Sequence, residues 1–217
     1  AAVISERREG ILAKEYLALE KNDNLSREIR FKRAFIAYEK GRHYQAEEQF
    51  ESLAQVDPAD AKVLKAQDLY LDLLNLKKDF SAIKKNSAIW IKKSKSEERR
   101  AQLIKLYQES YFAEIQNNEK SIKWQETVAA YKVFGHENRS STLAAEAMWN
   151  AMQLEYRSGD LFAAAESGKV FANHFPGHAR SHEALVKSAQ GFEFVGALAK
   201  AADVLDELSR VDAKDSE

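Results

Sequence analysis

GRHYQAEEQFESLAQVDPADAK (residues 41–62) and GDLFAAAESGKVFANHFPGHAR (residues 159–180) follow one pattern. Each opens on glycine (Gly41, Gly159), with an aromatic three residues on (Tyr44, Phe162) and alanine five residues on (Ala46, Ala164). A large apolar residue and an alanine follow (Leu53–Ala54, Phe171–Ala172), and then proline, seventeen residues after the glycine (Pro58, Pro176). These are the two prolines of the whole chain, and they hold the same place in the same pattern. Physically the pattern describes a helix pair. Glycine can take positive φ and turn the chain out of one helix. Alanine is small enough to let two helices approach, Phe50, Leu53 and Val56 continue one apolar face at helical spacing, and proline ends the second helix.

Working outward, a third copy starts at Gly196 with Ala201, Leu205 and Leu208 in register. Two weaker copies lie between, one with Lys77, Phe80, Ala82 and Ile89, the other with Ile122, Trp124, Thr127, Tyr131 and Phe134. The small-residue position then falls at Ala46, Ala82, Thr127, Ala164 and Ala201, at intervals of 36, 45, 37 and 37. One helix pair cannot bury its own apolar face, so such units stack on one another.

The residues around Gly41, Gly159 and Gly196 resemble the tetratricopeptide repeat family, whose unit is a helix pair with Gly at the inner turn, Ala early in the second helix and Pro at its end. The resemblance spans roughly residues 25–212. It implies an all-α fold, a right-handed α-solenoid of about five helix-turn-helix repeats over residues 25–217. The long interval predicts an insertion near residues 92–100 (KKSKSEERR), and residues 1–24 read as an orphan second helix, from the apolar spacing of Ile11, Leu12, Tyr16, Leu17 and Leu19. With neither end closed by a polar cap, the chain reads as one segment of a longer array or as one whose ends meet partners. The runs FPGHARSHEAL and TLAAEAMWNAMQLEYRSGD resemble tetratricopeptide proteins of bacterial envelopes. A periplasmic or envelope location is the expectation that follows, with a cytoplasmic one left open.

Composition agrees with helix. Eight glycines and two prolines in 217 residues are too few for the turns of a sheet protein. A net charge of −1 gives no global field toward nucleic acid or an anionic membrane. Absence of cysteine excludes disulfides and thiolate chemistry, and no apolar run is long enough to span a bilayer. The chain opens on Ala1 rather than Met, which reads as a processed chain or a piece of a longer one.

In the tetratricopeptide family the first helices line a concave groove, which implies a protein-binding role. On those helices the sequence offers Glu28, Phe31, Phe35 and Tyr38; then Leu64, Gln67, Leu71 and Leu74; then Glu109, Phe112 and Gln116; then Glu146, Trp149, Gln153 and Tyr156; then Glu183, Val186, Gln190 and Glu193. The recurring chemistry is an acid, usually an aromatic, and often glutamine. Aromatics anchor interfaces, and a glutamine side chain can bond a peptide backbone as donor and acceptor. The partner-binding candidates are therefore Phe31, Phe35, Tyr38, Phe112, Gln116, Trp149, Gln153, Tyr156 and Gln190. The blander reading is that the glutamates serve the helix dipole and that Phe31 and Phe112 belong to the core. Family members that grip a chaperone C-terminal carboxylate do so with Lys, Arg and Asn on these faces. Glu and Gln here imply a neutral-to-basic or apolar partner segment instead, from another protein or from the same parent protein.

Two further features carry alternatives. Lys84, Lys85, Lys92 and Lys93 lie in a basic stretch, residues 77–95, opposed by Asp79 alone and accompanied by Trp90. That combination suits an anionic surface or nucleic acid, but the usual explanation of such a stretch is a solvated outer face, and nucleic acid is not the expected partner. His174, His178 and His182 are spaced by four, but Pro176 and Gly177 interrupt them and no HExxH motif is present, so no metal or other cofactor is expected. No phosphate-binding loop and no nucleophile elbow occur. The expectation is a non-catalytic interaction scaffold within a larger assembly, with a structural spacer as the remaining alternative.

Overall fold

In the computed structural model, which describes residues 23–56, 60–119 and 123–214, every regular element is a helix. Among the described residues these are α1 (Asp23–Glu39), α2 (His43–Ala54), α3 (Ala61–Leu76), α4 (Phe80–Lys93), α5 (Glu97–Asn118), α6 (Trp124–Glu137), α7 (Leu143–Arg157), α8 (Leu161–His174), α9 (Ser181–Phe194) and α10 (Leu198–Lys214). The chain is thus the all-α helical repeat that the sequence predicts. The expected orphan helix lies almost wholly outside the described residues, as do Pro58 and Ile122. The chain divides into two compact units, residues 1–100 and 101–217.

The turns explain why the repeat is legible in some places and faint in others. Gly41, Gly159 and Gly196 have φ of +70°, +83° and +76°. At each, the glycine N–H donates to the carbonyl three residues back and the next N–H to the carbonyl five back: Gly41 to Tyr38 and Arg42 to Ala37, Gly159 to Tyr156 and Asp160 to Glu155, Gly196 to Glu193 and Ala197 to Phe192. This is the Schellman closure of a helix. Lys78 makes the same two bonds, to Asn75 and (through Asp79) to Leu74, at φ +57°. A lysine there forgoes glycine's freedom, at a cost of about 1 kcal/mol.

The second copy therefore sits one residue later than its sequence suggests. Lys78, not Lys77, is the turn residue, and buried Ile83, not half-buried Ala82, fills the small-residue position. The first-turn bonds agree: the N–H groups of Ala46, Ile83, Thr127, Ala164 and Ala201 donate to Arg42, Asp79, Lys123, Asp160 and Ala197. The intervals become 37, 44, 37 and 37. The extra seven residues match the difference between α5, with 22, and α7, with 15. Seven residues are close to two helical turns, so the added length preserves the phase of the helix face. Residues 92–100 form the end of α4, a three-residue connector and the start of α5.

Within residues 1–100, consecutive helices α1 to α4 pack in order, burying Phe50, Ala66, Leu73, Leu74, Ile83 and Trp90. Asp60 and Asp79 start α3 and α4 by accepting from the N–H groups of Lys62 and Ala82. Within residues 101–217 the core is a run of clusters. Phe112, Ile115, Tyr131 and Phe134 gather against Ala147 and Ala151. Met148, Met152 and Phe171 gather against Ala184. Leu185, Phe192, Val204 and Leu208 close the series. Small residues set the spacing of α8 and α9: a Cβ on Gly168 would overlap Ser188 Oγ and lie 2.8 Å from the Ala184 carbonyl oxygen. Through the same unit runs a buried polar clip. Glu155 on α7, 3% exposed, accepts from Lys132 Nζ of α6 at 2.6 Å and from Ser167 Oγ of α8 at 2.5 Å.

Candidate functional site

First helices of successive repeats lie side by side within each unit, and the contacts between them repeat at near-constant separation. In residues 1–100, Glu28 of α1 meets Lys62 of α3 at 3.2 Å, and Tyr38 donates to Asp72 at 2.5 Å. In residues 101–217, Arg180 at the start of α9 pairs with Glu146 of α7 at 3.0 Å, and the Tyr156 hydroxyl donates to the Lys187 carbonyl at 2.5 Å. The first three of these span 34 residues, the last 31.

Trp149, Gln153 and Tyr156 follow one another at helical spacing on α7, and Gln190 holds on α9 the place that Gln153 holds on α7, 37 residues earlier. The guanidinium of Arg180 lies 5.1 Å from the centre of the Trp149 ring, which also approaches Phe171 edge-on at 5.6 Å. Lys187 sits 5.8 Å from the Tyr156 ring and pairs with Glu183 at 3.6 Å. Burial pushes the Tyr156 phenol above its ordinary range, so this hydroxyl remains a donor at neutral pH. Trp149, Gln153 and Tyr156 are half-buried, whereas Glu183, Gln190 and Glu193 are exposed. Trp149 and Tyr156 thus join one repeat to the next as well as lining the face. The side-chain nitrogen of Gln153 is buried without a hydrogen-bond partner, so Gln190 is the glutamine here whose amide is open to a ligand.

Phe112 is 7% exposed and lies among Tyr131 and Phe134 at 5.9 and 5.7 Å, a core position. Gln116, one turn further along α5, is exposed. On α1, Phe31, Phe35 and Tyr38 form a half-exposed ladder with ring centres 6.1 and 6.5 Å apart. Both ends of the ladder lean on Phe50, and Lys65 of α3 covers Phe35 at 5.5 Å. The Tyr38 phenol is raised, first by its bond to the Asp72 carboxylate and then by burial. Glu28 is lowered, first by hydrogen bonds from Lys32 and Lys62.

The lysine stretch divides. At about 100° per residue, Lys84 and Lys93, nine apart, point to opposite sides of α4, whereas Lys85 and Lys92 fall on nearly one line, about 10 Å apart. Lys85, Lys92 and Lys93 are exposed and Lys84 is half-buried. Trp90 is 2% exposed and turned toward Tyr70, so it offers no surface on which a base could stack. The histidines scatter: His174 Nδ1 bonds the Val170 carbonyl and His178 rests edge-on against Phe171. No group of three or more His, Cys, Asp or Glu among the described residues is placed to hold a metal ion. Sequence reasoning singled out His174 but missed His136, and with it the arrangement in which the two rings flank one nitrogen of Arg139 at 3.1 Å each. These residues lie far apart in the chain and carry no motif. No described helix is long and apolar enough to cross a membrane. No protein-family model matches the chain, and neither does any curated protein.

Proposed function

We propose that the chain is a non-catalytic protein-binding scaffold, and that the face shared by α7 and α9 receives a segment of a partner protein. One observation carries the reading. Of two successive first helices, α7 carries Trp149, Gln153 and Tyr156, half-buried, and α9 carries exposed Gln190 at the place of Gln153, with the acids Glu183 and Glu193 also exposed. Half-buried aromatics give apolar contact area at little entropic cost. An exposed amide can bond a peptide backbone, and the acids favour a neutral or basic segment over a carboxylate terminus. The resemblance to tetratricopeptide repeats points the same way, and its envelope variants suggest a place in a bacterial envelope assembly.

Because Trp149 and Tyr156 also hold repeats together, the variant that tests the face is Glu183→Lys with Gln190→Lys, both at exposed positions. A pull-down from native extract with the parent chain is expected to retain a partner that this variant loses, with unchanged circular dichroism. Equal retention by both would move binding away from α7 and α9. A second reading, an anionic partner on α4, is favoured by exposed Lys85, Lys92 and Lys93 on a helix with no acid of its own. It predicts binding that weakens steeply with salt and is lost on Lys85→Glu with Lys92→Glu.

A further inference from the structure

The turn between α8 and α9 repeats the turn between α6 and α7 bond for bond, 37 residues on. In the first turn the N–H groups of Asn138, Ser141 and Ala144 donate to the carbonyls of Phe134, Asn138 and Ser141. In the second, those of Phe175, His178 and Ser181 donate to Phe171, Phe175 and His178. Every position of one turn therefore has a counterpart in the other. The helices correspond in the same way, α6 to α8 and α8 to α10, since their first-turn bonds are also 37 residues apart.

The side chains on the two turns differ. From the first, Arg139 reaches between the ends of two second helices. One of its terminal nitrogens lies 3.1 Å from His136 Nδ1 on α6 and 3.1 Å from His174 Nε2 on α8. A guanidinium has donors only, so both ring nitrogens accept. His174 Nδ1, 2.8 Å from the Val170 carbonyl oxygen, carries the proton of its ring. The counterpart of Arg139 on the second turn is Pro176, which has no side-chain donor. The counterparts of His136, His174 and Val170 are Asn173, Val211 and Glu207. These four residues line a cleft of about 420 Å³ between the end of α8, the start of α9 and α10, a volume in the range of small-ligand sites.

The cleft suits the group that Pro176 does not supply. Glu207 is half-buried and has no ion-pair partner among the described residues. The side-chain oxygen of Asn173 can accept where His136 accepts in the preceding turn. Ala172, Leu185 and Val211 add apolar wall for the methylenes of an arginine arm. The last turns of α8 and α10 bring the negative ends of two helix dipoles, against the single N-terminus of α9. The clasp in the preceding repeat is built wholly from α6, its turn and α8, so its counterpart needs nothing beyond α10.

We propose that this cleft binds a guanidinium group, with Glu207 as its counter-charge and Asn173 as a second acceptor. The guanidinium comes from an arginine of another protein or from a free guanidinium compound. The cleft shares no residue with Trp149, Gln153, Tyr156 or Gln190, so its failure would leave the reading of α7 and α9 untouched.

The test is NMR titration of the full chain with N-acetyl-arginine methylamide, following the ring resonances of His178 and His182 on the cleft wall. Saturable shifts are expected there, with His136 unmoved. Glu207→Gln should weaken binding at least tenfold. Pro176→Arg, which restores the residue type of the preceding turn, should block the cleft from within and weaken binding as much. Circular dichroism checks that both variants stay helical. N-acetyl-lysine methylamide, a point charge without the planar fork, should bind several-fold more weakly. Agmatine and a capped peptide with a central arginine separate the two sources, the tighter of them naming the natural one. The proposal is overturned if the arginine probe does not saturate, if Glu207→Gln leaves its affinity unchanged, or if the lysine probe binds as well. It is overturned equally if inorganic phosphate moves the same resonances and the arginine probe does not.

Discussion

Gly168 lies inside α8, where helix propensity alone predicts that Gly→Ala stabilises by about 1 kcal/mol. The structure predicts the opposite sign. An added Cβ would overlap Ser188 Oγ and stand 2.8 Å from the Ala184 carbonyl oxygen and 3.0 Å from Met152 Sδ. The serine can rotate and the methionine can flex, but the carbonyl is backbone, so α8 and α9 must move apart. Overpacking of this kind costs roughly 1–3 kcal/mol. Set against the propensity gain of about 1 kcal/mol, the net loss is about 0–2 kcal/mol, which lowers Tm by up to roughly 8 °C for a chain of this length. Thermal and urea unfolding of the full chain, followed by circular dichroism, measures it. Adding Ser188→Ala to Gly168→Ala should recover part of the loss and no more, since the carbonyl contact remains. A Gly168→Ala chain more stable than its parent would refute the close approach of α8 and α9.

Gly159→Ala meets no atom within 4 Å but forces φ +83° on an L residue. It should cost about 1 kcal/mol of strain, partly offset by a stiffer unfolded chain. Lys78→Gly should act in reverse and raise the urea midpoint slightly. Lys132→Met strands the Glu155 carboxylate on Ser167 alone and should cost about 2 kcal/mol, a buried-charge penalty discounted for the half-exposed lysine; combining it with Glu155→Gln should restore part of the loss. Burial and nearby Glu51 push the Tyr70 phenol up to about 12. The folded state therefore holds that proton more tightly than the unfolded chain does. Its stabilising contribution is complete below about pH 10 and is lost as pH rises toward 12, so absorbance at 295 nm should show late tyrosine ionisation coinciding with loss of helix.

The fold was legible where chemistry marks geometry. Gly41, Gly159 and Gly196 announced turns because a positive φ favours glycine, and the alanines announced close helix contacts. The second copy was blurred by Lys78, which takes the same backbone shape without the signal, and so displaced Ala82 from its expected role. A long α5 looked like an inserted charged run because its first residues are polar, while its apolar face begins further on. The site was less legible. Helical spacing placed Trp149, Gln153 and Tyr156 together with no way to tell a lining residue from a packing one. That distinction depends on Arg180, Lys187 and Phe171, which approach from another turn or helix. Phe112 shared the spacing and went to the core. Glu155 carries no signal of its own in the sequence, and only Lys132 and Ser167, on the flanking helices, make it a buried clip.

The most direct test of the scaffold reading is site-specific photocrosslinking in the native cell. A benzoylphenylalanine is placed at Gln190, at Lys85 or at Leu205, three exposed or half-exposed positions on three different helices. A discrete protein adduct is expected at Gln190, lost when Glu183→Lys is added, and its crosslinked peptide should be neutral or basic. Adducts at Lys85 with none at Gln190, or no protein adduct at Gln190 at all, would contradict the scaffold reading.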